Sequence, residues 1–335
     1  MQGKWIEFLE DRGVRADLIE KLKPTIEALT DKNLPIIFEL EHLSKVLGIE
    51  QSVLSAMIAS ANKFYRVFSI PKRKGGRRTI CSPYPSLLSV QQWIYSNILS
   101  KVEVHSAAHG FVCGRSIVTN ASCHVNKSAL LKMDLKDFFD SIPINWVVSL
   151  FSSLGYPKNV SYYLASLCCL ENSLSQGAAT SPSLSNILLY QLDERLMRLS
   201  KSHYLTYTRY ADDMSFSGKY ISQRFQDSVK TIVEEFGLTV NSKKTSLRVG
   251  KSKKAITGLN VTGERVLVSK KFKRRLRQEI YFIKKFGYLS HINKLKIRDP
   301  EYKASLLGKL AFIKQVEPDN DFADEAIATL KNLKT

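Results

Sequence analysis

Two adjacent acids between two short runs of β-forming residues, in Leu205-Thr-Tyr-Thr-Arg-Tyr-Ala-Asp-Asp-Met-Ser-Phe-Ser217, constrain this chain more than any other stretch. Aromatic and β-branched residues favour pleated strands, so the pattern predicts a β-hairpin with Asp212 and Asp213 at its turn. Successive side chains on a strand point to opposite faces, whereas a turn can bring two carboxylates to one place. A pair with little nearby to neutralise it suits a divalent metal. Standing alone, Tyr210-Ala211-Asp212-Asp213 reads equally as a solvated acidic turn, so the rest of the chain has to decide.

The 335 residues are 44% hydrophobic and 24% charged, an ordinary globular balance that excludes a disordered chain. Charge is the unusual quantity: 50 Lys and Arg against 31 Asp and Glu give +19 and a pI near 9.6, which favours a polyanionic partner. No apolar run reaches the roughly 18 to 20 residues that span a bilayer, and the first residues lack a basic segment followed by an apolar one. A cytoplasmic protein without a membrane partner is expected. Cys81, Cys113, Cys123, Cys168 and Cys169 are odd in number and show no C-x-x-C spacing, so buried free thiols are expected rather than disulfides or zinc.

Residues 1–63 read as helices, with apolar residues at helical spacing (Trp5, Phe8, Leu9; Leu18, Ile19, Leu22) and stops near Pro24 and Pro35. Leu43 to Met57 has a helix, Gly turn, helix rhythm. Its second helix is poor in side chains that read base edges, so a packing role is expected. Two strand-like runs between Phe64 and Ile80 flank a basic turn with Gly75 and Gly76, where Lys72, Arg77 and Arg78 could meet phosphate oxygens. An amphipathic helix over 86–104, the loop His109 to Ile117 and the segment Asn120-Ala-Ser-Cys-His124 follow. Asp134 ends the apolar strand-like run Ala129-Leu-Leu-Lys-Met. Leu174-Ser-Gln-Gly-Ala-Ala-Thr-Ser-Pro182 then opens a helix with small residues at its start, where a backbone or base can approach closely.

A strand-end Asp, then Q-G-x-x-x-S-P before a helix, then Y-x-D-D in a hairpin resembles motifs A, B and C of a reverse transcriptase palm. The resemblance covers residues 64 to about 264. It implies an α+β right-hand polymerase fold: fingers, a palm whose antiparallel sheet is flanked by helices, and a helical thumb, preceded by an N-terminal helical extension. The implied division is 1–63 for the extension, 64–133 for fingers and the start of the palm, 134–264 for the palm with an interleaved fingers segment at about 144–175, and 265–335 for a basic thumb. Asp134, Asp212 and Asp213 would hold two Mg²⁺ ions, with Mn²⁺ as a substitute, for in-line phosphoryl displacement. Phe139 stands where the family carries a steric gate against a 2′-hydroxyl. Gln176, the backbone from Leu135 onward, Lys72 and Arg78 would meet the incoming deoxynucleoside triphosphate, Arg78 matching the family's basic residue better than Arg77. After a helix over Phe225 to Phe236, Leu238 to Thr245 resembles motif D, in which Lys244, or alternatively Lys243, would protonate departing pyrophosphate.

Residues 265–298 hold twelve Lys or Arg. Phe272, Leu276, Ile280 and Ile283 recur at helical spacing and leave Lys273, Arg274 and Arg277 to other faces, suited to backbone phosphates. Asn120-Ala-Ser-Cys-His124 fits the N-A-x-x-H signature of retron reverse transcriptases, and Ile256-Thr257-Gly258 nearly fits their V-T-G triplet, although a literal Val261-Thr262-Gly263 follows. The chain is similar to bacterial retron enzymes. That resemblance implies a structured noncoding RNA partner, contacted by Asn120, His124, Thr257 and Gly258. It implies priming from a guanosine 2′-hydroxyl, branched multicopy single-stranded DNA as product, and an effector protein in antiphage defence. The competing readings are another bacterial reverse transcriptase, intron-encoded or of abortive-infection type, and a catalytically idle RNA-binding scaffold.

Overall fold

A computed structural model describes residues 2–72 and 75–333, so the Arg73-Lys74 tip of the basic turn lies outside the described residues. Four helices come first: α1 (Gln2–Asp11), α2 (Ala16–Asp31), α3 (Leu40–Leu47) and α4 (Gln51–Ala59). The hairpin β1 (Tyr65–Pro71) and β2 (Arg77–Pro83) leads into α5 (Pro85–Asn97), α6 (Ile117–Ser122) and β3 (Ala129–Asp134). Next are α7 (Ile144–Leu154), α8 (Lys158–Cys168), α9 (Ser181–Leu188), α10 (Tyr190–Ser202), β4 (Thr206–Tyr210), β5 (Asp213–Gly218) and α11 (Gln223–Glu235). The chain continues through β6 (Ser246–Val249), the short pair β7 (Ala255–Ile256) and β8 (Leu259–Asn260), then α12 (Lys270–Phe286), α13 (Tyr288–Leu295), α14 (Tyr302–Val316) and α15 (Asp321–Asn332).

The fold is α+β. Its central sheet runs in the order β4-β5-β3-β6, antiparallel throughout. Strand β3 is apolar on both faces because both faces are covered. Ala129, Leu131 and Met133 join the larger core with α7, α8 and α10, whereas Leu130 joins a second core with α6, β7, β8 and the C-terminal helices. Alternation along the strand therefore divides its apolar residues between two hydrophobic clusters.

The expected stop at Pro24 does not occur, since α2 runs through it. Proline removes one N–H and orphans the carbonyl four residues back, and both Pro24 and Glu20 are exposed, where water can take that carbonyl. The helix, Gly turn, helix rhythm is present, with Gly48 left-handed at the end of α3. Leu54 and Met57 of α4 are buried and the helix packs against α8, so it serves as a packing element. This N-terminal layer is tied to the rest. Lys32 Nζ donates to the carbonyls of Ser153 and Leu154 at 2.9 and 3.0 Å, and Tyr156 Oη donates to Pro35 O at 3.0 Å. Cys168 and Cys169 are buried free thiols as expected, but Cys113 and Cys123 are exposed because both lie in surface turns around α6. Among the described residues, no helix is long and apolar enough to cross a membrane.

Candidate active site

The predicted hairpin forms, and its register gathers the acids. Tyr210 pairs with Asp213 across β4 and β5, leaving Ala211 and Asp212 as a two-residue turn with Ala211 left-handed at φ +55°. Asp213 in turn stands opposite Asp134, the last residue of β3. Leu135 N donates to Asp212 O at 3.0 Å, fastening the turn to the end of β3. Three carboxylates, one ending β3, one in the turn and one opening β5, thus share one end of the sheet. Burial first, then the charges of Asp134 and Asp213, push the Asp212 carboxyl up to about 6. Lys244, in the single turn Ser242–Lys244, donates its ammonium to both oxygens of Asp134 at 2.8 and 2.9 Å. This contact and the nearby carboxylates hold its pKa above the usual lysine value.

Hard oxygen donors with mutually repelling charge suit a divalent cation, and the Lys244 ammonium already sits on Asp134 as a cation does. Among the described residues, no group of three acid, His or Cys side chains is arranged to enclose an ion. The carboxylates of Asp134, Asp212 and Asp213 are donors of the kind a divalent metal takes, gathered at one end of the sheet.

Beyond Asp134 the backbone N–H groups of Leu135 and Lys136 are taken by Asp212 O and Thr239 O. The Leu135 N–H is thus spent on holding the acidic turn, and the Leu135 side chain is buried. The N–H groups of Asp137 to Asp140 bond to no group among the described residues, which leaves them available to anionic oxygens. Phe138 is buried in the core and Phe139 is half-buried beside it, ring centroids 5.1 Å apart. Gln176 is half-buried, and its carbonyl accepts from Cys81 N of β2 at 2.8 Å. Gly177, at φ +123°, lies so close to this strand that a Cβ would stand 2.6 Å from Cys81 O. Buried Gln91 completes the tie, donating to Tyr65 Oη and Leu167 O and accepting from Ala179 N. Lys72 and Arg78 are exposed on the β1–β2 hairpin, whereas Arg77 donates to Ser69 O of the opposite strand.

The expected RNA contacts of Asn120 and His124 are corrected, because both side chains are buried beneath the sheet. His124 Nδ1 lies 2.6 Å from Ser217 Oγ and its Nε2 lies 2.7 Å from Thr208 Oγ1. Thr208 Oγ1 also donates to Asn120 Oδ1. The segment braces β4 against β5 from one face. Thr257 and Gly258 form the tight turn between β7 and β8, both left-handed, with Gly258 exposed. Thr257 Oγ1 donates to Ile117 O at 3.3 Å, which ties this turn to the first turn of α6, the helix that carries Asn120. In α12, the Lys273 ammonium is held by both oxygens of Glu317 at 2.9 and 2.8 Å. Arg274 is exposed, and Arg277 lies over the Phe322 ring at 5.1 Å.

Residues that sequence reasoning passed over hold the hairpin from behind. Arg209 and Asp193 form a fully buried, two-pronged pair at 2.8 and 2.6 Å. Tyr207 Oη donates to the same carboxylate at 2.7 Å. Arg209 Nη1 donates to Ala211 O in the acidic turn and to Asn186 Oδ1, both at 3.1 Å, and Asn186 Nδ2 donates to Gly110 O at 2.7 Å. The signal was available: Arg209 shares a strand face with Tyr207, and Asp193 sits beside Leu192 and Leu196 on an apolar helix face.

Residues 70–273 match the family described as reverse transcriptase (RNA-dependent DNA polymerase). The chain is similar to the retron Ec86 reverse transcriptase of Escherichia coli, 34% identical over 259 residues that cover 76% of this chain and 81% of that protein. It is also similar to the retron Mx65 reverse transcriptase of Myxococcus xanthus, 33% identical over 348 residues covering 94% and 79%. Among solved structures, telomerase from Candida albicans with a telomeric RNA fragment is similar with a TM-score of 0.42 and 12% identity, covering 80% and 62%.

Burial, with smaller contributions from His109 and Lys127, depresses His124 from 6.5 to about 3. A depressed histidine keeps its full stabilising effect above the unfolded value and loses it as pH falls from 6.5 toward 3, because only the unfolded chain takes up the proton there. Urea unfolding should therefore show the wild type losing about 2 kcal/mol more than His124→Asn between pH 7 and pH 5. Parallel losses in the two proteins would contradict a neutral buried His124.

Proposed function

The chain belongs to the reverse transcriptase family, and within it to the bacterial retron enzymes, and is therefore an RNA-directed DNA polymerase; from that premise we propose which residues carry the reaction and on what nucleic acid. The observation that carries the reading is the register that sets Asp134 opposite Asp213, with Asp212 in the adjoining turn. Asp134, Asp212 and Asp213 hold Mg²⁺, with Mn²⁺ able to replace it. Bound there, a metal pair stabilises the attacking and leaving oxygens of the phosphoryl transfer.

The chain's own groups do the rest. The unpaired N–H groups of Asp137 to Asp140 receive the triphosphate, helped by Lys72 and Arg78 on the two-stranded basic hairpin. Half-buried Phe139 lies under the incoming sugar and excludes a 2′-hydroxyl, while Gln176 lines the nucleotide's other side. Lys244 releases Asp134 when the charged substrate arrives and gives its proton to departing pyrophosphate. Residues 64–133 and about 144–175 act as fingers, 134–264 as palm and 265–335 as thumb. The exposed cations Arg274 and Arg277 and the Thr257-Gly258 turn face a structured noncoding RNA. Part of that RNA is copied into branched single-stranded DNA from a guanosine 2′-hydroxyl, and the product works with an effector protein in antiphage defence in the cytoplasm.

With Mg²⁺ and a primed RNA template, Asp212→Asn should incorporate deoxynucleotides roughly a hundredfold to a thousandfold more slowly than wild type, the scale of metal-ion stabilisation. Equal rates would remove the assigned metal site. Phe139→Ala should lose at least roughly tenfold of its discrimination against ribonucleotides; unchanged selectivity rejects it as the gate. Nucleic acid copurified with the protein should be a branched DNA–RNA hybrid, and intron RNA or untemplated DNA in its place would overturn the assigned product.

A further inference from the structure

The loop before α6, which carries Gly110 and Gly114, has no part in the reaction above. Its backbone is clamped to the flank of β4: Arg209 N donates to Ala107 O at 2.8 Å, and His109 N donates to Arg209 O at 2.7 Å. Arg115 donates to the carbonyls of His105, Ser106 and Ala108, and Asn186 holds Gly110 O. Gly110 presses against the acidic turn itself. A Cβ there would lie 2.7 Å from Ala211 N and 3.2 Å from the Tyr210 ring.

The next residue, Phe111, is fixed in left-handed backbone at φ +61°. A bulky side chain is a genuine outlier in that region, where Gly or Asn sits easily. Yet 51% of Phe111 is exposed, and its ring meets Tyr210 of the acidic hairpin at 6.4 Å between centroids and 42°. Strained backbone that presents an apolar ring to solvent gains nothing from burial, and such strain persists where a site uses it.

Sheet order says which part of the substrate lies there. Lys244 and the free N–H groups of the Asp137–Asp140 turn follow β6's side of the sheet and the end of β3, and Phe111 lies beyond β4, at the opposite flank. The acidic turn stands between. In an in-line displacement the attacking and leaving oxygens are on opposite sides of the phosphorus. If pyrophosphate departs toward Lys244, the attacking hydroxyl approaches from the β4 flank. We infer that Phe111, with Tyr210, forms an aromatic shelf that seats the terminal nucleotide of the primer strand and so sets its hydroxyl against the carboxylates. This assignment rests on the polymerase reading given above.

The test uses the full chain and a DNA primer annealed to an RNA template, with 2-aminopurine as the primer's last base. Phe111→Asn and Phe111→Gly remove the ring while relieving the backbone, so their melting temperatures should equal or exceed that of wild type. Both should raise the KM for primer–template about tenfold, within the range of one base–aromatic stack. The KM for the deoxynucleotide should stay within about twofold, and the fluorescence quenching of the terminal base should be lost. Phe111→Trp should keep quenching and a near-wild-type KM. Unchanged KM and quenching in Phe111→Asn, or an equal rise in both KM values with quenching intact, overturns the shelf while the polymerase stands. A wild type that extends no primer overturns both.

Discussion

A buried charge pair underlies the geometry of the acidic hairpin. Removing an ion from water costs several kcal/mol even after relaxation, so a fully buried arginine is tolerated only with its charge matched and its donors used. Arg209 meets both conditions through Asp193, Asn186 and the carbonyl of Ala211. Each partner comes from a different element: Asp193 from α10, Asn186 from α9 and Ala211 from the turn. The pair contributes specificity of position more than net stability, because it is satisfied only when the hairpin, both helices and the Gly110 loop are all in register. The carboxylates on the other side of that turn inherit this precision.

A second set of ties joins the glutamine-glycine loop to the β1–β2 hairpin. Gly177 has no side chain because Cys81 O occupies the space, and its φ of +123° is one that other residues rarely adopt. With Gln91 fixing Ala179 N from below, the loop cannot move independently of β2. The basic hairpin and the glutamine-glycine loop thus form one mechanical unit beside a sheet whose acidic turn is held by Arg209.

Whether a polar side chain is free depends on neighbours far along the chain. Asn120, His124 and Lys273 are polar or charged types with a ready role on RNA, and sequence cannot tell whether their donors are spent inside the protein. His124 spans Ser217 and Thr208, and Lys273 closes on Glu317, which is 44 residues away along the chain. The Leu135 N–H is likewise consumed, by Asp212 O, and the N–H groups with no partner among the described residues begin two residues on, at Asp137.

The sequence by itself determined the hairpin, the strand ending at Asp134 and the helical N-terminal and C-terminal regions. Those features follow from local propensity and from residue types at short spacing, which a linear reading can see. Only the tertiary structure decided that helix α2 passes Pro24, that the signature segment Asn120 to His124 braces the sheet, and that Phe111 is exposed beside Tyr210. It also decided the partners of Arg209. Each of these depends on burial and on contacts between residues tens of positions apart, which set whether a polar group is spent or free and whether an apolar one is covered.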